Sequence, residues 1–217
     1  VKTEDARGEI QTEELGWTEY LVGILAEDLP RDAEHEAVKA QAVLVRTSLY
    51  QTLSKEDKTL ESDYLTRGEM QEKWGLSDYQ EIYDSYVQAV EETDNLVLWY
   101  EDGYPWVPFH QSSNGMTRSA EEVTGSKDYP YIAAKECPLD KEAEDEIQVF
   151  SFGYSEIQEE CRDFLVAAEG EDEARQGYSF EDFEIQSRDS SGYVQKLRIG
   201  KTVCTGDQFR DALSLPS

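Results

Sequence analysis

The sequence predicts an α+β fold, with a helical N-terminal half packed against a hairpin-containing mixed half and a cleft between them. Two observations carry this. Up to about residue 95 the apolar residues recur at helical spacing, and beyond it short β-rich runs alternate with turn signals and isolated helices. The expected division is a flexible polar lead-in at 1–13 and one domain at 14–217. Its helical lobe covers about 14–95 and its mixed lobe about 96–217.

LGWTEYLVGILAEDL (15–29) reads as a helix that Pro30 ends. Asp32 is placed to cap the next helix, whose AVKAQAVLVRTSLY (37–50) is apolar nearly all round, the mark of a central, buried helix. EMQEKWGL (69–76) is a short helix closing at Gly75. DYQEIYDSYVQAVEET (78–93) sets Ile82, Tyr86, Ala89 and Val90 on one face before a stop at Asp94 and Asn95. Next, NLVLWY and YPWVPFH flank Glu101-Asp102-Gly103, a hairpin signal. PYIAA and QVFSFGYS read as strands around an acidic connection at 139–147. YSEIQEECRDFLVAAEG reads as a helix closing at Gly170. FEDFEIQSRD and YVQKLRIG are late strands, followed by a turn at Gly200 and a terminal helix from Asp207.

The 217 residues hold 48 Asp and Glu against 20 Lys and Arg, a net charge of −28. Nucleic acid and anionic membranes need clustered basic residues, so neither is an expected partner. No run of 18 apolar residues offers a membrane span. Three cysteines, 137, 161 and 204, permit at most one disulfide and show no zinc-ligand spacing. The opening VKTEDARGE lacks an initiator methionine, as expected for the soluble part of a longer exported or membrane-anchored protein.

The end of the first helix carries two adjacent acids, Glu27 and Asp28. Trp17, Leu21, Ile24 and Asp28 fall on one stripe, which sets Asp28 at the foot of the apolar face and Glu27 about 100° away. Partial desolvation and the negative end of the helix dipole both disfavour a charged Asp28. A raised pKa suits a general acid.

The text around these acids resembles one family. EYLVGILAEDLP followed by EAVKAQAVLVRTSLY is similar to the E-Y-x-x-G-V-x-x-x-E-M-P and E-A-L-K-A-Q-A-x-x-A-R-T-Y of the stage II sporulation protein D family of peptidoglycan lytic transglycosylases. FHQSSNGMTRSAEEVTG with DYPYIAA, and GDQFRDALSLPS near the C-terminus, look like two further blocks of that family. The resemblance implies an extracytoplasmic enzyme acting on glycan strands, with no cofactor for the chemistry and with a peptide-removing amidase as an implied partner. Aligned on Gly23 and Pro30, the family's catalytic glutamate falls on Asp28, so an aspartate stands where the family has its acid. Three outcomes are open: Asp28 works, Glu27 takes the role, or turnover is lost and a glycan-binding or partner-binding module remains.

The resemblance also places Gln41 and Arg46 in or near the cleft, with Arg46 orienting the acid or gripping a substrate carboxylate. An ion pair with Glu36 or another acid is its structural alternative. His110 would stand beside the acid, Ser112, Ser113 and Thr117 would offer hydroxyls to sugar groups, and Tyr131 a stacking face. His35 reads as a surface residue. Ser112 or Ser113 with His110 lacks the G-x-S-x-G elbow of a serine hydrolase. His110 with Cys137 does not close a zinc set, which leaves zinc weakly supported and no metal expected.

Overall fold

The computed structural model describes residues 2–4, 10–12, 14–55, 60, 63–110, 112–141, 149–165 and 178–215. The chain forms two compact units, 1–109 and 110–217. Secondary structure is mixed α and β, as the sequence pattern predicts.

The first unit is built on four helices, α1 (Trp17–Asp28), α2 (His35–Leu53), α3 (Arg67–Trp74) and α4 (Tyr79–Glu92). Residues 20–26 of α1 are all buried, so this helix is the core of the unit and not one of its walls. Around it close Val38, Ala42 and Leu49 of α2, Met70 and Trp74 of α3, and Tyr86, Ala89 and Val90 of α4. At about 25 cal/mol per Å² of apolar surface removed from water, such a cluster is the main force holding four short helices together. Pro30 follows the last turn of α1, and its carbonyl accepts the Tyr86 hydroxyl at 2.9 Å, which pins the α1–α2 corner to α4. Thr66 and Glu69 form a capping box at the start of α3. Gly75, at φ 83°, ends that helix in a conformation that favours glycine.

Several local expectations change. Glu34, without a side-chain bond, stands at the N-cap of α2 where Asp32 was expected. The lead-in contains two short paired strands, β1 (Lys2–Glu4) and β2 (Ile10–Thr12), in an antiparallel register. Around Gly103 the turn forms, with Tyr100 and Gly103 exchanging backbone hydrogen bonds at 3.0 and 3.1 Å, but no strand ladder extends from it. The flanking segment binds α2 instead. The Leu98 amide donates to Thr47 Oγ1 at 2.9 Å, Gln51 donates to the Tyr104 carbonyl at 3.1 Å, and Tyr104 stacks on Tyr50.

The second unit holds a three-stranded antiparallel sheet in the order β3 (Phe183–Arg188), β4 (Val194–Ile199), β5 (Thr202–Cys204). Helices α5 (Ala120–Thr124), α6 (Tyr154–Glu160) and α7 (Gly206–Ala212) accompany it. Leu197, Ile199 and Cys204 form one small core, and Ile157, Cys161 and Leu213 another. Arg118 joins the connecting loops, reaching Asp189 at 2.8 Å and both oxygens of Asp207 at 3.0 and 3.1 Å. The PYIAA and 149–153 segments are irregular and not strands. α6 stops at Glu160, far short of the expected end at Gly170, which lies outside the described residues, as does most of the 139–147 connection. No helix among the described residues is long and apolar enough to cross a membrane.

Candidate functional site

A pocket of about 310 Å³ opens within the helical unit at the C-terminal end of α1. Glu27, Asp28 and Gln41 line it together with Asp63, Val107 and Phe109. α1 delivers Asp28 because that residue closes the apolar stripe, so its Cβ lies where the buried face meets the surface. Glu27, one residue earlier, is exposed, whereas Asp28 is half-buried.

Burial raises the Asp28 carboxyl above its ordinary value of 3.8. Two groups oppose that rise, Gln41 by hydrogen bonding and Lys73 by its charge. The Gln41 amide donates to Asp28 Oδ2 at 2.9 Å, and Gln41 is itself only 5% exposed, so the donor is held by packing. Lys73, on α3, donates to the Ala26 carbonyl at 2.7 Å and the Glu27 carbonyl at 3.3 Å. These are carbonyls that a helix C-terminus leaves without intrahelical partners. One lysine thus satisfies the end of α1 and places a positive charge near Asp28.

Asp63 and Lys73 were not singled out by the sequence pattern. The signal for Asp63 is indirect and runs through Gly23. A Cβ on Gly23 would stand 2.7 Å from the Leu65 carbonyl oxygen and 3.0 Å from the Tyr64 ring. The Leu65 amide donates to the Gly23 carbonyl at 3.1 Å. Glycine at position 23 therefore lets the 63–65 segment lie directly on α1, and this brings Asp63 to the pocket.

Arg46 lies inside the helical unit. It is 1% exposed, and its guanidinium donates to the carbonyls of Leu96 (2.9 Å) and Val90 (3.2 Å) and to Thr93 Oγ1 (3.2 Å). Among the described residues no carboxylate pairs with it, so the ion pair offered as its structural alternative is not formed. Desolvation lowers its pKa accordingly. Lys39, seven residues earlier, stays at the surface with Glu36 and Glu92, and His35 pairs with Glu92 at 3.0 Å.

The remaining candidates belong to the second unit. His110 is exposed, and Ser112 is partly exposed. The Ser113 hydroxyl donates to Asp140 at 2.6 Å and accepts the Gly115 amide at 3.1 Å, so it stitches its own loop. Thr117 Oγ1 accepts the Lys135 amide at 2.8 Å, with the same structural effect. Tyr131 is 36% exposed and packs edge-on to Tyr129. Cys137, Cys161 and Cys204 are free thiols. Among the described residues no group of three or more His, Cys, Asp or Glu is arranged to hold a metal ion.

Comparison with known proteins bears on the same region. Residues 6–100 match the family model described as Stage II sporulation protein. A Stage II sporulation protein D from Bacillus amyloliquefaciens is 27% identical over 159 residues, which is 68% of this chain and 46% of that relative. Its counterpart from Bacillus subtilis (strain 168) is 27% identical over 143 residues, 60% of this chain and 41% of the relative. The chain thus spans less than half the length of these curated relatives. The matched span holds α1, α2 and the acids of the pocket, and over it this chain is similar to the stage II sporulation protein D family.

Proposed function

We propose that the protein is an extracytoplasmic lytic transglycosylase that cleaves the bond between N-acetylmuramic acid and N-acetylglucosamine, with Asp28 as its acid. The observation that supports this most is the half-buried Asp28 carboxyl, raised in pKa and held by Gln41 inside a pocket. Gln41 occupies Oδ2, which leaves Oδ1 to carry the transferable proton. In the first step Asp28 gives that proton to the glycosidic oxygen as the C1–O bond breaks and positive charge develops at C1. In the second the carboxylate takes the proton from the muramyl 6-hydroxyl as O6 bonds to C1. The products are a free 4-hydroxyl and a 1,6-anhydro ring, and Asp28 ends protonated as it began. One carboxyl suffices, unlike the paired acids of hydrolytic glycosidases.

A second reading rests on the aspartate itself. It is about 1 Å shorter than a glutamate, and misplacement on that scale can lower a rate roughly a hundredfold. A glycan-binding module that has lost turnover fits that shortening.

Digestion of purified sacculi and of peptide-stripped glycan, followed by mass spectrometry, tests the two readings. Release of 1,6-anhydro products by the native protein, lost in Asp28→Asn and retained in Glu27→Gln, is the expected result. General acid–base catalysis contributes about 10²- to 10⁴-fold, and the loss should fall in that range. Absence of products from the native protein, with activity appearing in Asp28→Glu, would establish the binding module instead.

A further inference from the structure

The C-terminal end of α1 is completed by a residue of another helix. Its last turn carries no basic side chain of its own. A lysine in the last turn of a helix ordinarily serves the carbonyls of that same helix, and Lys73 holds this position in α3. Its ammonium instead reaches the carbonyls of Ala26 at 2.7 Å and Glu27 at 3.3 Å, the two residues that precede Asp28. Packing fixes where it stands, because Met70 and Trp74 on either side of it are buried in the same core cluster as α1. The other groups around the acid bring no matching charge. Glu27 and Asp63 line the pocket with Asp28, α2 contributes the uncharged Gln41, and the 96–109 segment contributes Val107 and Phe109. From α4, Tyr86 binds the Pro30 carbonyl, and Arg31, three residues beyond Asp28, is engaged with Asp78 and the Trp74 carbonyl. Among the described residues, Lys73 is the cation whose charge acts on Asp28.

Resting on the reading of Asp28 as the acid, we propose that Lys73 is its positioning residue, holding the last turn of α1 in place and facing the carboxylate form of Asp28 with a positive charge. The need for such a group arises between the two steps of the reaction. Once Asp28 has given its proton to the glycosidic oxygen, a carboxylate stands beside the acidic side chains of Glu27 and Asp63. It also stands at the negative end of the α1 dipole. Lys73 offsets the dipole by binding its carbonyls and the carboxylate by its charge, so the acid can part with its proton and remain as the base for the 6-hydroxyl. The lysine itself transfers no proton and touches no reacting atom.

The test compares the native chain with Lys73→Met, Lys73→Arg and, as a control for the change in net charge, Lys127→Met, whose lysine lies at the surface of the second unit beside Glu121. The Asp28 carboxyl is titrated by side-chain NMR at fixed ionic strength, and product release from peptide-stripped glycan is followed across pH. In Lys73→Met the Asp28 titration and the high-pH limb of the rate should both move upward, because the ionised form has lost its partner. Its kcat should fall about tenfold or more with KM unchanged, as loosening of the acid costs rate and not binding. Arginine keeps the charge and has donors enough for both carbonyls, so Lys73→Arg should restore the titration and the rate. Lys127→Met should match the native chain. A titration that Lys73→Met leaves unmoved, even with thermal stability lost, would make the lysine a helix cap alone and overturn the proposal. So would a shift that Lys127→Met reproduces or that Lys73→Arg fails to reverse. The titration needs no turnover, which keeps the two readings apart. A native protein that releases no anhydro products removes the enzyme reading, and the titration still decides whether Lys73 acts on Asp28.

Discussion

Gln41 on α2 donates to Asp28 Oδ2 on α1 at 2.9 Å, and this is the polar bond that ties the candidate acid to the second helix. Burial pushes the Asp28 carboxyl up, and Gln41 works against burial by favouring the ionised form. Gln41→Leu removes the amide and keeps the volume, so the pKa of Asp28 should rise further. A general acid is active while protonated, so the high-pH limb of product release should move to higher pH in Gln41→Leu. Folding follows the same sign. A carboxyl with a raised folded pKa contributes stability that is full below its unfolded value of 3.8 and lost as pH rises through the folded value. The variant should extend that window upward. Rate profiles and urea unfolding across pH measure both, and an unmoved limb would show that Asp28 is not the titrating acid.

Gly23 is a second test, in which two effects oppose each other. In an exposed helix interior, Gly→Ala stabilises by about 1 kcal/mol. Here the new Cβ would stand 2.7 Å from the Leu65 carbonyl oxygen, a backbone atom that cannot rotate away. Overpacking costs roughly 1–3 kcal/mol, so the clash should win and Gly23→Ala should lower the urea midpoint. Because Asp63 rides on the same segment, the variant should also weaken glycan binding in the fraction that stays folded.

Much of the helical unit was legible because its cues are local. Periodicity, Pro30 and Gly75 set α1 and α3, and the single apolar face of α4 is buried through Tyr86, Ala89 and Val90. Asp28 was legible over Glu27 for the same reason, since helical phase alone decides which acid ends the apolar stripe. What stayed hidden depends on partners far along the chain. The 96–109 segment has the alternation of a hairpin, yet Thr47, Tyr50 and Gln51 of α2 offer it better contacts than its own other arm. Arg46 lies on a readable helix face, but carbonyls near the end of α4 are invisible in its neighbourhood of sequence. Asp63 and Lys73 reach the site through α1 backbone contacts that leave no mark on their own spacing.

The surface cluster at the start of α2 makes a prediction about pH. Glu92 accepts from His35 and Gln88 and faces Lys39, and these bonds hold its carboxyl down at about 2, from an ordinary 4.5. A depressed carboxyl contributes stability above its unfolded pKa, and that contribution is lost as pH falls through the folded value of about 2. His35→Asn removes the largest cause, so the Glu92 carboxyl should titrate closer to 4.5 in a side-chain NMR experiment. The variant should also unfold earlier on acidification below pH 4.5 and match the native chain near neutrality apart from the lost pair. An unchanged Glu92 titration would show that Gln88 and Lys39 hold it without the imidazole.

Arg46 provides the sharpest separation between a structural and a substrate-binding role. Its guanidinium satisfies the carbonyls of Leu96 and Val90 and the Thr93 hydroxyl inside the helical unit. A lysine has one terminal nitrogen and cannot span acceptors arranged for a planar fork. Arg46→Lys should therefore strand at least one buried acceptor, at a cost of about 1–3 kcal/mol. Arg46→Met removes the charge together with its desolvation but leaves all three acceptors without the guanidinium, and it should be destabilised by more. If the role is structural, both variants lose thermal stability while the folded protein keeps its affinity for glycan. A gripping arginine would show the opposite pattern, with stability kept and affinity for carboxylate-bearing strands lost. Thermal unfolding paired with binding at a temperature well below the transition distinguishes the two, and the buried position of Arg46 favours the first.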